Sequence, residues 1–181
     1  AILTNKNHKS GTDRIFEAYK KLDIRDVDYI LNLQGDEPAI EEKDIINLNS
    51  LMIKNDLNIG TLGSEIKNKN FFSNENIVKV STEEKLNKTN FSIALSFKRK
   101  STFKEEKNIY HHVGVYAYNV KTLEKFVHLN QTQNETEQRL EQLRALDNNL
   151  EINVILANSS PIGVDTKEDY LAIKKIMEYK S

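Results

Sequence analysis

Short strand-like runs alternate with helix-like stretches along most of the chain, and this alternation limits the fold more than any other feature of the sequence. The strand-like runs are residues 28–33 (DYILNL), 58–66, 77–81, 91–97, 112–120 (HVGVYAYNV) and 151–157. Between them lie helical stripes. Ile15, Ala18, Tyr19 and Leu22 share one face after the start signal Ser10-Gly11-Thr12-Asp13, and Ile45, Leu48 and Met52 share another within residues 42–54. Further helices are predicted at 121–129, at 135–147 and from Thr166, which has Asp169 three residues on as an approximate capping box. Strands that alternate with helices predict an α/β fold, with a mostly parallel sheet and helices on both faces. Residues 87–112 read as a small β excursion from one domain spanning 1–181. The opening Ala1-Ile2-Leu3-Thr4 reads as the tail of a buried strand in an N-terminally truncated domain.

Composition removes several classes of function. With 26 basic and 27 acidic residues and a net charge of -1, no basic excess points to nucleic acid. The chain has no cysteine, so disulfides, thiolate metal sites and a cysteine nucleophile are out. No apolar run approaches the ~18 residues of a membrane span, and the polar first residues do not resemble a signal peptide.

Two carboxylate loops carry the chemistry. Asp36 follows DYILNL within Gln34-Gly35-Asp36-Glu37-Pro38, and Asp165 follows the last strand. In open α/β sheets the ligand crevice lies beyond the carboxyl ends of the strands. Two aspartates there, with substrate phosphates and water, suit Mg²⁺. Each could equally be a turn or cap residue. Gly35 permits close backbone approach or an unusual φ. Ser10, Gly11, Thr12 and Arg14 put hydroxyls, free N–H groups and a guanidinium at a helix start, which suits an anion or a ribose as well as an ordinary cap. His111 and His112 are adjacent on a strand, where side chains alternate, so they do not share a metal ion. Lys98-Arg99-Lys100 is either a grip for an anionic substrate or a solvated charge run. No GxxxxGK[ST] or GxGxxG phosphate cradle occurs.

Five segments in this order resemble one family: residues 8–14 (HKSGTDR), 33–38 (LQGDEP), 112–118 (HVGVYAY), 140–146 (LEQLRAL) and 163–169 (GVDTKED). The family is that of the CMP-Kdo synthetases, the 3-deoxy-manno-octulosonate (Kdo) cytidylyltransferases. The resemblance runs from about residue 8 to the end of the chain. It implies a Rossmann-like nucleotidyltransferase fold and a cytoplasmic homodimer that makes CMP-Kdo and diphosphate from CTP and the acid sugar Kdo, for lipopolysaccharide synthesis. It implies Mg²⁺ at Asp36 and Asp165, with these two as the catalytic residues. Gln34, Arg99, His112, Tyr116, Glu141 and Gln142 would meet the sugar. Ser10, Gly11, Thr12 and Arg14 would lie near the nucleotide.

The chain departs from the family pattern in three places. The Gly/Arg/Lys-rich loop that cradles the triphosphate is absent, so a fragment of weak activity is expected. Residues 98–103 lack the usual prolines although Arg99 remains, and Gln138 stands where a second acid is usual. These changes leave open another 2-keto acid sugar as substrate, or a non-catalytic sugar-nucleotide binding fragment.

Overall fold

Six strands hydrogen-bond into one mixed sheet in the computed structural model, which describes residues 1–67, 69–100, 107–158, 163–164 and 167–178. The strands are β1 (Tyr29–Asn32), β2 (Ile59–Ser64), β3 (Lys79–Thr82), β4 (Ser92–Lys98), β5 (Ile109–Asn119) and β6 (Asn153–Leu156). The helices are α1 (Gly11–Leu22), α2 (Glu42–Lys54), α3 (Val120–Val127), α4 (Gln133–Gln138), α5 (Leu143–Asp147) and α6 (Lys167–Glu178). The sheet order is β1-β5-β2-β6-β4-β3, and β3 also pairs with the start of β5, which closes five of the strands into a ring.

The α/β class holds, but the sheet is not mostly parallel. Among the described residues only β2 and β6 pair in parallel, and β5 runs antiparallel between β1 and β2. A parallel neighbour needs a long crossover, whereas antiparallel neighbours do not. No helix occurs among the described residues between β3, β4 and β5, so in this stretch the strand–helix alternation fails. Residues 87–112 supply β4 and the start of β5 to this same sheet.

Each face of the sheet holds its own core. On one face Leu48 and Met52 of α2 pack on Leu62, Val113, Val115, Ala117 and Ile155. Burying each of these α2 side chains contributes about 1.5–3 kcal/mol. α2 can approach this closely because of Gly60: a Cβ there would lie 2.4 Å from the Met52 sulfur. On the other face Tyr116, Tyr118, Leu123, Phe126 and Leu143 form the second core, with Phe16 of α1 packed against it. Helices therefore cover both faces.

β5 serves both cores. Its even-numbered tyrosines face one and Val113, Val115 and Ala117 the other. The register on β2 jumps from Thr61↔Tyr116 to Leu62↔Val113, so Gly114 and Val115 bulge out of the ladder. An inserted pair preserves the two-residue alternation, where a single insertion would reverse every side chain after it.

Local signals set most element ends. Ser10 caps α1 by accepting from the Asp13 N–H at 3.3 Å, and α2 occupies residues 42–54 as its stripe predicts. The helix predicted over 135–147 is broken: Arg139 takes φ 53° and closes α4, and the chain turns before α5. Residues 1–3 form no strand and are exposed, Leu3 at 93%. Without strand partners for their backbone, they have no sheet to join. Thr166, expected to cap α6, lies outside the described residues, as does the Asp169 side chain.

Candidate active site

A cleft of about 1020 Å³ opens where the start of α1, the loop after β1, the middle of β5 and the α4–α5 junction converge. Nine of the twelve residues singled out in the sequence line it: Ser10, Gly11, Gln34, Asp36, Arg99, His112, Tyr116, Glu141 and Gln142. These positions span more than 130 residues of chain, and the fold brings them together.

Three do not line it. Thr12 is fully buried beneath the cleft. Its hydroxyl donates to Glu141 Oε1 at 2.6 Å, and its N–H donates to Glu141 Oε2 at 3.4 Å. Arg14 points away, its Nη1 donating to Thr4 Oγ1 at 2.7 Å and to the Asn5 carbonyl at 3.1 Å. One turn of helix separates Ser10 from Arg14, and only the first residues of α1 reach the cleft. Asp165 lies outside the described residues. The preceding Val164 donates its N–H to the Asp36 carbonyl at 2.8 Å, which ties residues 163–164 to the Asp36 loop. Gly35 does not take a positive φ, and a Cβ added to it would meet no described protein atom within 4 Å. The close approach it permits is therefore free for a ligand.

The two histidines part company as a strand dictates. His112 meets Thr61 through Nε2 at 3.1 Å and stacks edge-on to Phe97. Thr61 gives its single proton to the Val115 carbonyl at 2.8 Å, so it accepts from His112 Nε2–H, and Nδ1 keeps a lone pair. Burial, together with His111, lowers the His112 pKa to about 3. His111 turns toward Phe71 and Ser64, and burial with the Lys79 charge lowers its pKa to about 4. Both rings are neutral at pH 7. No group of three or more acids or histidines that could hold a metal gathers among the described residues.

Arg99 uses three of its five N–H donors on main-chain carbonyls, those of Glu75, Gln138 and Arg139. Lys79, 2% exposed, donates to the carbonyls of Asn74, Ile77 and Arg99. Together the two cations clip the 74–77 segment, which lines the cleft, to the end of α4. Burial, then the neighbouring Arg99, lowers the Lys79 pKa to about 8.

Several further residues line the cleft that were not singled out in the sequence: Lys9 and Glu37, although each lies inside a quoted motif, and Asn74, Asn76, Glu135 and Arg139, which lie in none of those motifs. Glu37 accepts from the Gly114 N–H at 3.4 Å. Glu135 was findable, because it closes the capping box that Thr132 opens. Arg139 carries no local signal; it reaches the cleft only because the helix breaks there. Behind the wall, Arg144, 1% exposed, forks onto Glu135 at 2.9 and 2.6 Å and reaches Asp13 at 3.5 Å.

The mixed sheet with helices on both faces and a polar cleft over β5 has the nucleotidyltransferase-like α/β fold of the solved structures it superposes on. The chain belongs to the cytidylyltransferase family, whose sequence pattern matches residues 1–152, and it groups with the 3-deoxy-manno-octulosonate cytidylyltransferases within it. The enzyme of that name from Bartonella bacilliformis is 40% identical over 178 residues, which cover 97% of this chain and 72% of that protein. The one from Thermodesulfovibrio yellowstonii is 39% identical over 186 residues, covering 98% of this chain and 73% of that protein. A solved structure of CMP:2-keto-3-deoxy-manno-octonic acid synthetase complexed with CTP superposes with a TM-score of 0.85 at 28% identity, over 99% of this chain and 73% of that one. An apo UDP-glucose pyrophosphorylase, at 13% identity and a TM-score of 0.68 over 97% of this chain and 62% of that one, shares the fold alone.

Proposed function

We propose that the protein transfers a cytidylyl group from CTP to Kdo, yielding CMP-Kdo and diphosphate for lipopolysaccharide synthesis. The observation that carries this reading is the convergence of Gln34, Asp36, His112, Tyr116, Glu141 and Gln142 on one cleft, in a chain 40% identical to enzymes named for this reaction. The anomeric hydroxyl oxygen of the sugar forms a new bond to the α-phosphorus. The bond from that phosphorus to the bridging oxygen breaks, and diphosphate leaves with the electron pair. The hydroxyl proton is released to solvent as the new bond forms.

The cleft divides by chemistry. Gln34, His112 and Gln142 are neutral and suit the hydroxyls of a polyol, whereas Lys9 and Arg139 offer positive charge to phosphates. Two N–H donors of Arg99 remain for a sugar carboxylate once its three main-chain bonds are made. Catalysis of this kind rests on positioning and charge stabilisation. Asp36 is an exposed carboxylate on the cleft wall, and the 163–164 segment that precedes Asp165 is bonded to its carbonyl. Two hard oxygen donors fit Mg²⁺, which when bound would neutralise phosphate charge. Homodimer formation and a cytoplasmic setting, where CTP is available, belong to the same reading; no described helix is long and apolar enough to cross a membrane.

Asp36→Asn tests the assignment. It should lower kcat at least a hundredfold and leave the unfolding midpoint in place, because the side chain is exposed. Undiminished turnover would remove Asp36 from the metal site.

A further inference from the structure

Asn32 and Tyr116 stand directly opposite each other on the β1–β5 ladder. Opposed residues of an antiparallel pair share a face, with Cβ atoms about 4.5–5.5 Å apart. The next pair along, Ile30↔Tyr118, lies in the tyrosine-rich core, while Gln34, two residues beyond Asn32, lines the cleft. Asn32 therefore marks the step at which this face passes from apolar core to cleft.

Both side chains are buried, at 5% and 2% exposed. Neither Asn32 Nδ2 nor the Tyr116 hydroxyl has a hydrogen-bond partner among the described residues. Buried polar groups are nearly always paired, and each exception calls for a reason. Here two exceptions fall on one cross-strand pair, and Tyr116 reaches the cleft. Burial raises the Tyr116 pKa well above its usual value, with Tyr118 adding to the effect, so the hydroxyl keeps its proton and can donate it. The Thr61 hydroxyl and the Glu141 carboxylate are the groups that act on Tyr116 most directly besides Tyr118, but neither reaches hydrogen-bond distance, so the protein presents two neutral donors with no acceptor in bonding range among the described residues.

We infer that Tyr116, which lines the cleft, and Asn32, buried just beneath that lining, form a donor pair that binds an oxygen of the acid sugar, which makes Asn32 a further specificity-determining residue; this rests on the acid-sugar reading above. The sugar is favoured over CTP because Tyr116 packs against the neutral His112, with ring centroids 5.4 Å apart, and lies in the field of the Glu141 carboxylate, a setting that suits hydroxyls and repels phosphates. A ligand oxygen supplies what the fold leaves out, so the pair destabilises the empty protein and discriminates in favour of a substrate that carries that oxygen.

Asn32→Leu removes the donor at similar volume, and Asn32→Asp keeps the shape while replacing the donor with an acceptor. Thermal unfolding and the two KM values are measured for each. Asn32→Leu should hold or raise the unfolding midpoint, raise the KM for the acid sugar at least tenfold and leave the KM for CTP within twofold. If Asn32→Leu fails to fold, Asn32→Asp should show the same split in KM. A lowered midpoint with an unchanged sugar KM would overturn the inference and make the amide structural. An equal rise for CTP would overturn it in favour of the nucleotide. Wild-type turnover separates the two levels of the account. With no acid sugar turned over, the functional reading fails and this inference with it; with wild type active and the Asn32 variants unaffected, only the inference fails.

Discussion

The Thr12 hydroxyl and Glu141 Oε1, 129 residues apart in sequence, meet at 2.6 Å. This bond joins the start of α1 to the turn between α4 and α5, so the two walls of the cleft are held by one carboxylate. Thr12→Val removes the donor and leaves a half-buried carboxylate short of a partner. The expected loss is about 1–2 kcal/mol in urea unfolding. Thr12→Ser retains the hydroxyl and should recover most of it. Equal stability of the Val and Ser variants would show that the bond contributes nothing.

The neutral histidines make stability fall in acid. His111 and His112 titrate at about 4 and about 3 in the folded protein, against about 6.5 when unfolded. Between those values the unfolded chain binds more protons, so stability rises with pH. It is fully present above pH 6.5 and is lost progressively down to about pH 3–4. At pH 5 each histidine should cost about 2 kcal/mol. His112→Gln should flatten the dependence by its share. An unchanged pH profile in that variant would mean that His112 is solvated.

Arg144 holds three elements through one side chain. It forks onto Glu135 in α4, reaches Asp13 in α1 and lies 4.7 Å from the Phe126 ring centroid in α3. Arg144→Met strands a buried carboxylate and should cost about 3–5 kcal/mol. Arg144→Lys keeps the charge but loses the fork, and should recover only part of that. Full recovery by lysine would show that charge alone matters.

Gly60 fixes the approach of α2 to the sheet. A methyl group there would collide with Met52 and press on Leu48. Gly60→Ala should therefore destabilise by about 1–3 kcal/mol. Adding Met52→Ala, which makes room, should cost less than the sum of the two single changes, as a double-mutant cycle would show.

What was legible in the sequence follows physical range. The Ser10 cap, the stripe of α2 and the β5 alternation are local patterns, and the structure carries each of them. Sheet order is set by distant pairings, and nothing near residues 109–119 announces that β5 lies between β1 and β2. The same holds at the site. Gln34, Asp36, His112 and Glu141 stood out through motifs. Arg139 reaches the cleft through a left-handed break that no local residue signals, and Arg144 owes its role to partners in three other helices. Arg14 looked like an anion contact in its motif but turns to Thr4 and Asn5 instead.

The central claim is tested most directly by diphosphate release from CTP and Mg²⁺, with and without Kdo, using the protein expressed from its full coding sequence. Release that depends on Kdo is the predicted result. Release with a different 2-keto acid sugar but none with Kdo would contradict the assignment of the sugar, and silence with every acid sugar would contradict the assignment of the reaction.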